Sequence, residues 1–174
     1  MMGDLWVFGY GSLMWRPGFP FVARETARIR GYHRALCVYS HVHRGTPERP
    51  GLVLGLDRGG SCRGIAFRVA AEHRDETIAY LRAREQVTAV YREIYLNAEL
   101  GDGSVTALSY AVDRHHAQYA GRLEREDIVR LVAQGQGVSG ANPDYVRATQ
   151  AHLAELGIAD ATLDWLAKEL VPAD

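Results

Sequence analysis

Residues 5–8 are an unbroken apolar run that stops at Gly9, with Gly11 two positions further on. A run of that length bounded by glycine predicts a short buried strand entering a tight loop. Arg16-Pro17-Gly18-Phe19-Pro20 predicts a turn-rich connection, because each proline fixes φ and lacks an N–H donor. Over 27–40 the residues Ile29, Tyr32, Val38 and Tyr39 favour a second strand, with Gly31 as a bulge or bend. Residues 41–51 are too broken by glycine and proline for regular structure and read as a surface loop long enough to carry function. Two apolar runs, 52–56 and 62–69, flank Asp57-Arg58-Gly59-Gly60-Ser61, which predicts a hairpin joining strands three and four.

The period then changes. Residues 72–86 lack Gly and Pro and space Ile78, Ala79 and Leu81 as a helix does. Residues 90–100 and 105–112 alternate across Gly101-Asp102-Gly103-Ser104, a second hairpin. A helix over 124–134 puts Ile128, Leu131 and Val132 on one face, and Gly135, Gly137 and Gly140 make a loop after it. Asn142-Pro143-Asp144 reads as a helix start, with cap, first-position proline and an acid at the positive dipole end. Val146, Thr149, Leu153 and Leu156 form its inward stripe and Gly157 its stop; a last helix from 160 presents Leu163, Leu166 and Leu170. Strands come first with one helix inserted, then helices, the order of a segregated α+β domain.

Composition narrows the class. A chain of 174 residues is expected to form one domain, 1–174. Its 20 Lys+Arg against 21 Asp+Glu leave a net charge of -1, no footprint for nucleic acid or an anionic membrane surface. No apolar run of about 18 residues predicts a membrane span, and the early Asp4 with the break at Gly9 does not fit a secretory signal, so the cytoplasm is expected. Cys37 and Cys62 are too few for a disulfide framework and lack metal spacing. No obligate protein partner is inferred.

Gly9-Tyr10-Gly11-Ser12 can bring main-chain N–H groups close to a carboxylate or carbonyl oxygen, with the Ser12 hydroxyl beside them. A plain strand-end turn accounts for the same four residues. It is not a dinucleotide fingerprint, since no third glycine completes it and Pro17 and Pro20 forbid the helix that should follow; nor does it have a Walker ending. His41-x-His43 and His115-His116 have no carboxylate or thiol at ligand spacing, so no metal is expected. Cys62 has no local base to make it a nucleophile. By spacing alone, Glu85 beside Arg84 reads as a solvated residue of a charged helix, and Tyr145 as packing in a first helical turn.

Considered together, several segments change that reading. Trp6-Val7-Phe8-Gly9-Tyr10-Gly11-Ser12-Leu13-Met14-Trp15-Arg16, Gly31-Tyr32-His33-Arg34, Arg44-Gly45-Thr46-Pro47-Glu48, Tyr80-Leu81 to Arg84-Glu85 and Asn142-Pro143-Asp144-Tyr145 closely resemble the ChaC family of glutathione-specific γ-glutamylcyclotransferases, in the same order and over most of the chain. The resemblance implies the γ-glutamylcyclotransferase-like fold, a small mixed β-barrel with surrounding helices. It also implies cleavage of glutathione to 5-oxoproline and cysteinylglycine, a reaction that needs no cofactor and no metal. It assigns the substrate loop to Val7, Phe8, Gly9, Tyr10, Gly11 and Ser12, the catalytic acid/base to Glu85, and further substrate-binding positions to Arg44 and Tyr145. Some members follow the catalytic Glu with Gly-Gly-Tyr, whereas this chain has Gln86-Val87-Thr88-Ala89-Val90-Tyr91. A cyclotransferase for other γ-glutamyl amino acids or γ-glutamylamines, and a non-catalytic regulator of cation transport, are the alternatives.

Overall fold

Five strands close into a barrel in the computed structural model, which describes residues 3–85 and 89–170. They are β1 Leu5–Gly9, β2 Ala23–Ser40, β3 Gly51–Val69, β4 Tyr91–Leu100 and β5 Gly103–Val112, in the spatial order β1-β3-β2-β4-β5. β1 runs antiparallel to β3, Leu5 opposite Val69 and Gly9 opposite Ile65. It runs parallel to β5, with Trp6 opposite Ala107 and Val7 opposite Leu108, and this pairing makes the barrel mixed and closes it. The interior is small and is filled accordingly: Phe8, Ile29 and Leu56 pack with Cys62 and the alanines 27, 66, 98, 107 and 111.

The expected hairpin between 52–56 and 62–69 does not form, because Gly51–Val69 is one strand. Gly59 and Gly60 have φ of +104° and +70°, yet they bend the strand instead of reversing it, and Asp57 just before them is buried. Gly31 on β2 has φ +90°, a conformation that glycine adopts without strain. A 3-10 turn at Ala71–His73 leads into α1, Arg74–Glu85, close to the expected 72–86. Gln86, Val87 and Thr88, where the chain departs from the Gly-Gly-Tyr of other members, lie outside the described residues.

Contacts divide the chain into two compact units, Met1–Arg34 with Leu56–Asp113 and Ala35–Gly55 with Arg114–Asp174. The first carries β1, α1, β4, β5 and most of β2 and β3. The second carries the remaining ends of β2 and β3, then α2 Arg125–Gln134, the two-residue strands β6 Gln136–Gly137 and β7 Gly140–Ala141, α3 Asn142–Glu155 and α4 Ala161–Glu169. The expected glycine loop over 135–140 thus holds a minimal antiparallel ladder. Gly157, φ +71°, ends α3, and the Asp160 carboxylate accepts from the Leu163 N–H at 3.0 Å to cap α4.

Asn142 is a correction. It is the first residue of α3 instead of its cap, and its side chain, fully buried, exchanges two hydrogen bonds with Leu52 of β3: Oδ1 accepts from the Leu52 N–H at 2.7 Å, and Nδ2 donates to the Leu52 carbonyl at 2.9 Å. The amide serves the strand as another strand would, which is a use of asparagine that helix-start spacing does not reveal.

Candidate active site

The glycine turn grows directly out of β1. Val7 and Phe8 are fully buried within β1, paired with β3, and the Phe8 carbonyl accepts from the Ser109 hydroxyl at 2.9 Å. Space at Gly9 is tight, since a Cβ there would lie 3.0 Å from Leu13 Cβ and 3.3 Å from the Met14 nitrogen, and Gly64 of β3 lets the Gly9 carbonyl come in close. Gly11 has φ −135°, and the chain then tightens into a 3-10 turn, Ser12–Met14, in which Met14 N–H donates to the Gly11 carbonyl and Arg16 N–H to that of Ser12. Arg34 of β2 clamps the turn from one side, its Nε donating to the Tyr10 carbonyl and its Nη2 to the Arg63 carbonyl, each at 2.6 Å.

Arg84 of α1 clamps the other side. Its Nη2 donates to the Ser12 hydroxyl at 2.9 Å, and its Nη1 to the Arg16 carbonyl at 2.7 Å and the Tyr80 hydroxyl at 3.1 Å. The same guanidinium lies 3.8 Å from Oε1 of Glu85, the last residue of α1. The glycine turn and Glu85 therefore share one partner. The Glu85 side chain is only 18% exposed, and burial pushes its carboxyl above the usual glutamate range, with Arg84 pulling the other way.

A second network steadies the end of this helix. Arg82, one turn before Glu85, makes a two-pronged pair with Glu93 of β4 at 2.9 and 3.0 Å, and the buried Tyr110 of β5 donates its hydroxyl proton to Glu93 at 2.9 Å. Burial first, then the bond to Glu93 and the nearby Glu85 charge, push the Tyr110 phenol far up, so it keeps its proton.

Arg44 and Tyr145 form a pair of their own within the second unit. The Arg44 guanidinium lies 5.5 Å from the centre of the Tyr145 ring and donates to the Ala141 carbonyl at 3.1 Å. The Tyr145 hydroxyl accepts from the Leu54 N–H at 3.0 Å, which places its oxygen on the β3 main chain instead of at the surface. A groove of about 640 Å³ between α3 and α4, lined among others by Gln150, Asp164 and Lys168, contains none of the candidate residues.

His43 bonds Ser139 Oγ and His41 stacks on Tyr39, and among the described residues no group of three or more His, Cys, Asp or Glu is gathered as metal ligands. Nor is any described helix long and apolar enough to cross a membrane. Arg34, Arg84, Glu93 and Tyr110 were not singled out by residue spacing. The two arginines do lie inside segments that carry the family resemblance, whereas Glu93 and Tyr110 have no such signal.

The family model described as "ChaC-like protein" matches residues 5–172. The glutathione-specific γ-glutamylcyclotransferase of Escherichia coli strain K12 is 34% identical over 163 residues, 93% of this chain and 71% of that protein. γ-Glutamylcyclotransferase 2-3 of Arabidopsis thaliana is 30% identical over 175 residues, 95% of this chain and 88% of that protein. Among solved structures, a selenomethionine-labelled yeast γ-glutamyl cyclotransferase specific to glutathione matches with a TM-score of 0.86 at 22% identity, covering 96% of this chain and 95% of that one, a likeness of fold.

Proposed function

This chain belongs to the ChaC-like protein family, and from that premise we propose that it is a glutathione-specific γ-glutamylcyclotransferase in which Glu85 moves the protons and the turn from Gly9 to Ser12 holds the γ-glutamyl end. The observation that carries the reading is the buried carboxyl of Glu85 set against the same guanidinium that grips Ser12.

The substrate supplies its own nucleophile. Its α-amine nitrogen attacks the γ-carbonyl carbon, the C–N bond of the five-membered lactam forms, and the C–N bond to cysteinylglycine breaks. Holding the two ends in that pose accounts for about 7 to 11 kcal/mol of the barrier. The ammonium must first lose a proton, and ordinary values of about 8 for the amine and about 4.3 for glutamate set them roughly 4 units, or about 5 kcal/mol, apart. Burial of Glu85 narrows that gap by raising the carboxyl, and bound substrate shields it further. The proton taken from the ammonium is delivered to the departing amine nitrogen, and the second proton, shed by the attacking nitrogen as it becomes the lactam N–H, passes through the same carboxylate to the released amine, so cysteinylglycine leaves as its ammonium and the carboxylate is regenerated. Main-chain N–H groups of the turn face the substrate carboxylate or the developing oxyanion, each worth about 3 kcal/mol when well aimed. The compartment that goes with this reading is the cytoplasm, where thiols such as the buried Cys37 and Cys62 stay reduced.

Incubating the purified protein with glutathione and, separately, with γ-glutamylalanine, and measuring 5-oxoproline, tests the assignment. Release from glutathione alone is expected. Release from γ-glutamylalanine at a comparable rate makes the enzyme a broader cyclotransferase, and release from neither overturns the enzymatic reading in favour of a non-catalytic regulator.

A further inference from the structure

Arg84 is the meeting point of four pieces of the first unit. One planar group donates to the Ser12 hydroxyl, the Arg16 carbonyl and, at 3.4 Å, that of Pro17, and to the Tyr80 hydroxyl one helical turn back, while its Nε lies at ion-pair distance, 3.8 Å, from the Glu85 carboxylate. Its side chain is 25% exposed, partly covered by the residues it contacts. The surroundings hold it there. Gly18, φ +74°, lies so close that any Cβ would overlap the Tyr80 hydroxyl, and Phe19 meets Tyr80 edge-on at 6.5 Å and Phe67 of β3 at 5.6 Å. The stretch from Ser12 to Phe19 is thereby laid along the edge of α1 that ends in Glu85.

Resting on the cyclotransferase reading above, we propose that Arg84 is a positioning residue: its rigid fork fixes the spacing between the glycine turn and the Glu85 carboxylate. One end of the fork, Nη1, serves the two carbonyls and the Tyr80 hydroxyl, Nη2 serves the Ser12 hydroxyl, and Nε faces the Glu85 carboxylate; a lysine ammonium on a flexible stem is a point donor and cannot span them. The reaction joins two ends of one substrate, so an error in the distance between the loop that holds one end and the base that deprotonates it falls directly on the reactive pose.

The role has an electrostatic signature as well. Among the described residues, the groups facing Glu85 are Arg84 from its own helix and, from the barrel, Tyr110 of β5, which keeps its proton and donates it to Glu93 of β4, itself paired with Arg82. Arg84 is the cation at ion-pair distance from the carboxylate and holds its pKa down against burial.

The test is the pH dependence of kcat/KM for glutathione over about pH 5 to 9 in wild type, Arg84→Lys and Arg84→Gln, with circular dichroism and Tm as measures of folding. Both variants are expected to lose on the order of 10²-fold in kcat/KM. In Arg84→Gln the acid limb moves to higher pH, because the carboxylate has lost its cation; in Arg84→Lys it stays near the wild-type position. A folded variant of either kind that keeps wild-type kcat/KM overturns the proposal, as does an Arg84→Gln loss that follows only the fraction folded with the acid limb unmoved. If Arg84→Gln does not fold, Arg84→Lys decides the matter through kcat/KM. Wild-type protein that releases no 5-oxoproline from either substrate strikes the functional reading itself, whereas active wild type with indifferent Arg84 variants strikes this inference alone.

Discussion

Glu85→Gln separates the chemistry of the carboxyl from its shape. The amide fills the same volume, and the Arg84 bonds to Ser12 and Arg16 are independent of it, so substrate binding is expected to persist with KM little changed. What disappears is the proton acceptor. Removing a general base typically costs 10²- to 10⁴-fold, and we expect kcat for 5-oxoproline release to fall by about that much. A stability effect of opposite sign accompanies it. Burial raises the Glu85 carboxyl above its ordinary 4.5, so the folded chain binds that proton more tightly than the unfolded chain does. The wild type therefore loses stability, relative to a neutral isostere, as pH rises from about 4.5 through the folded value. Tm of Glu85→Gln should exceed that of wild type at neutral pH, and the difference should vanish below about pH 4. Chromatographic assay of 5-oxoproline and Tm by circular dichroism across that range measure both. A variant that turns over glutathione near the normal rate removes Glu85 from the mechanism, and one less stable than wild type at neutral pH refutes the buried-acid account.

Gly64→Ala would drive a methyl into the Gly9 carbonyl and to within 2.8 Å of the Phe8 ring; overpacking of this kind costs about 1–3 kcal/mol, and a urea melt should show it together with reduced turnover. Asn142→Ala strips both bonds from the buried Leu52 main chain and should cost at least about 2 kcal/mol, with Asn142→Asp failing to restore it because Nδ2 is then missing. Asp160→Ala removes the cap of α4 and should lower stability by about 1 kcal/mol without altering kcat.

The α+β character, the 91–112 hairpin, and α1 through α4 were legible because each repeats a period over ten or so residues. β3 was not, since Gly59-Gly60 suits a turn and a bent strand equally, and the choice rests with partners elsewhere: Val69 with Leu5, Ile65 with Gly9. Asn142 misled for a related reason, its short amide being as apt for a strand 90 residues away as for a helix cap. At the candidate site, Gly9 and Gly11 marked a turn, but the same four residues suited a plain strand-end turn equally. Glu85 and Arg84 gave no local sign of burial, because a charged pair at a helix end reads as solvated until residues 12–17 are folded over it. Only the combination of segments carried by the family resemblance drew attention to Glu85.

The parallel seam between β1 and β5 has a kinetic consequence. β1 precedes the other four barrel strands in the sequence, yet it finds its neighbours only at Ile65 to Val69 and at Ala107 and Leu108, so the segment from which the glycine turn emerges must wait until Leu108 has been made. Closing such long loops is slow, and until it happens an apolar ribbon, Leu5 to Phe8, stays unzipped and open to misassociation with other nascent chains. Catalytic competence thus waits on the closing strand, and a chain interrupted before Leu108 has no enzyme to offer, however well its helix has formed.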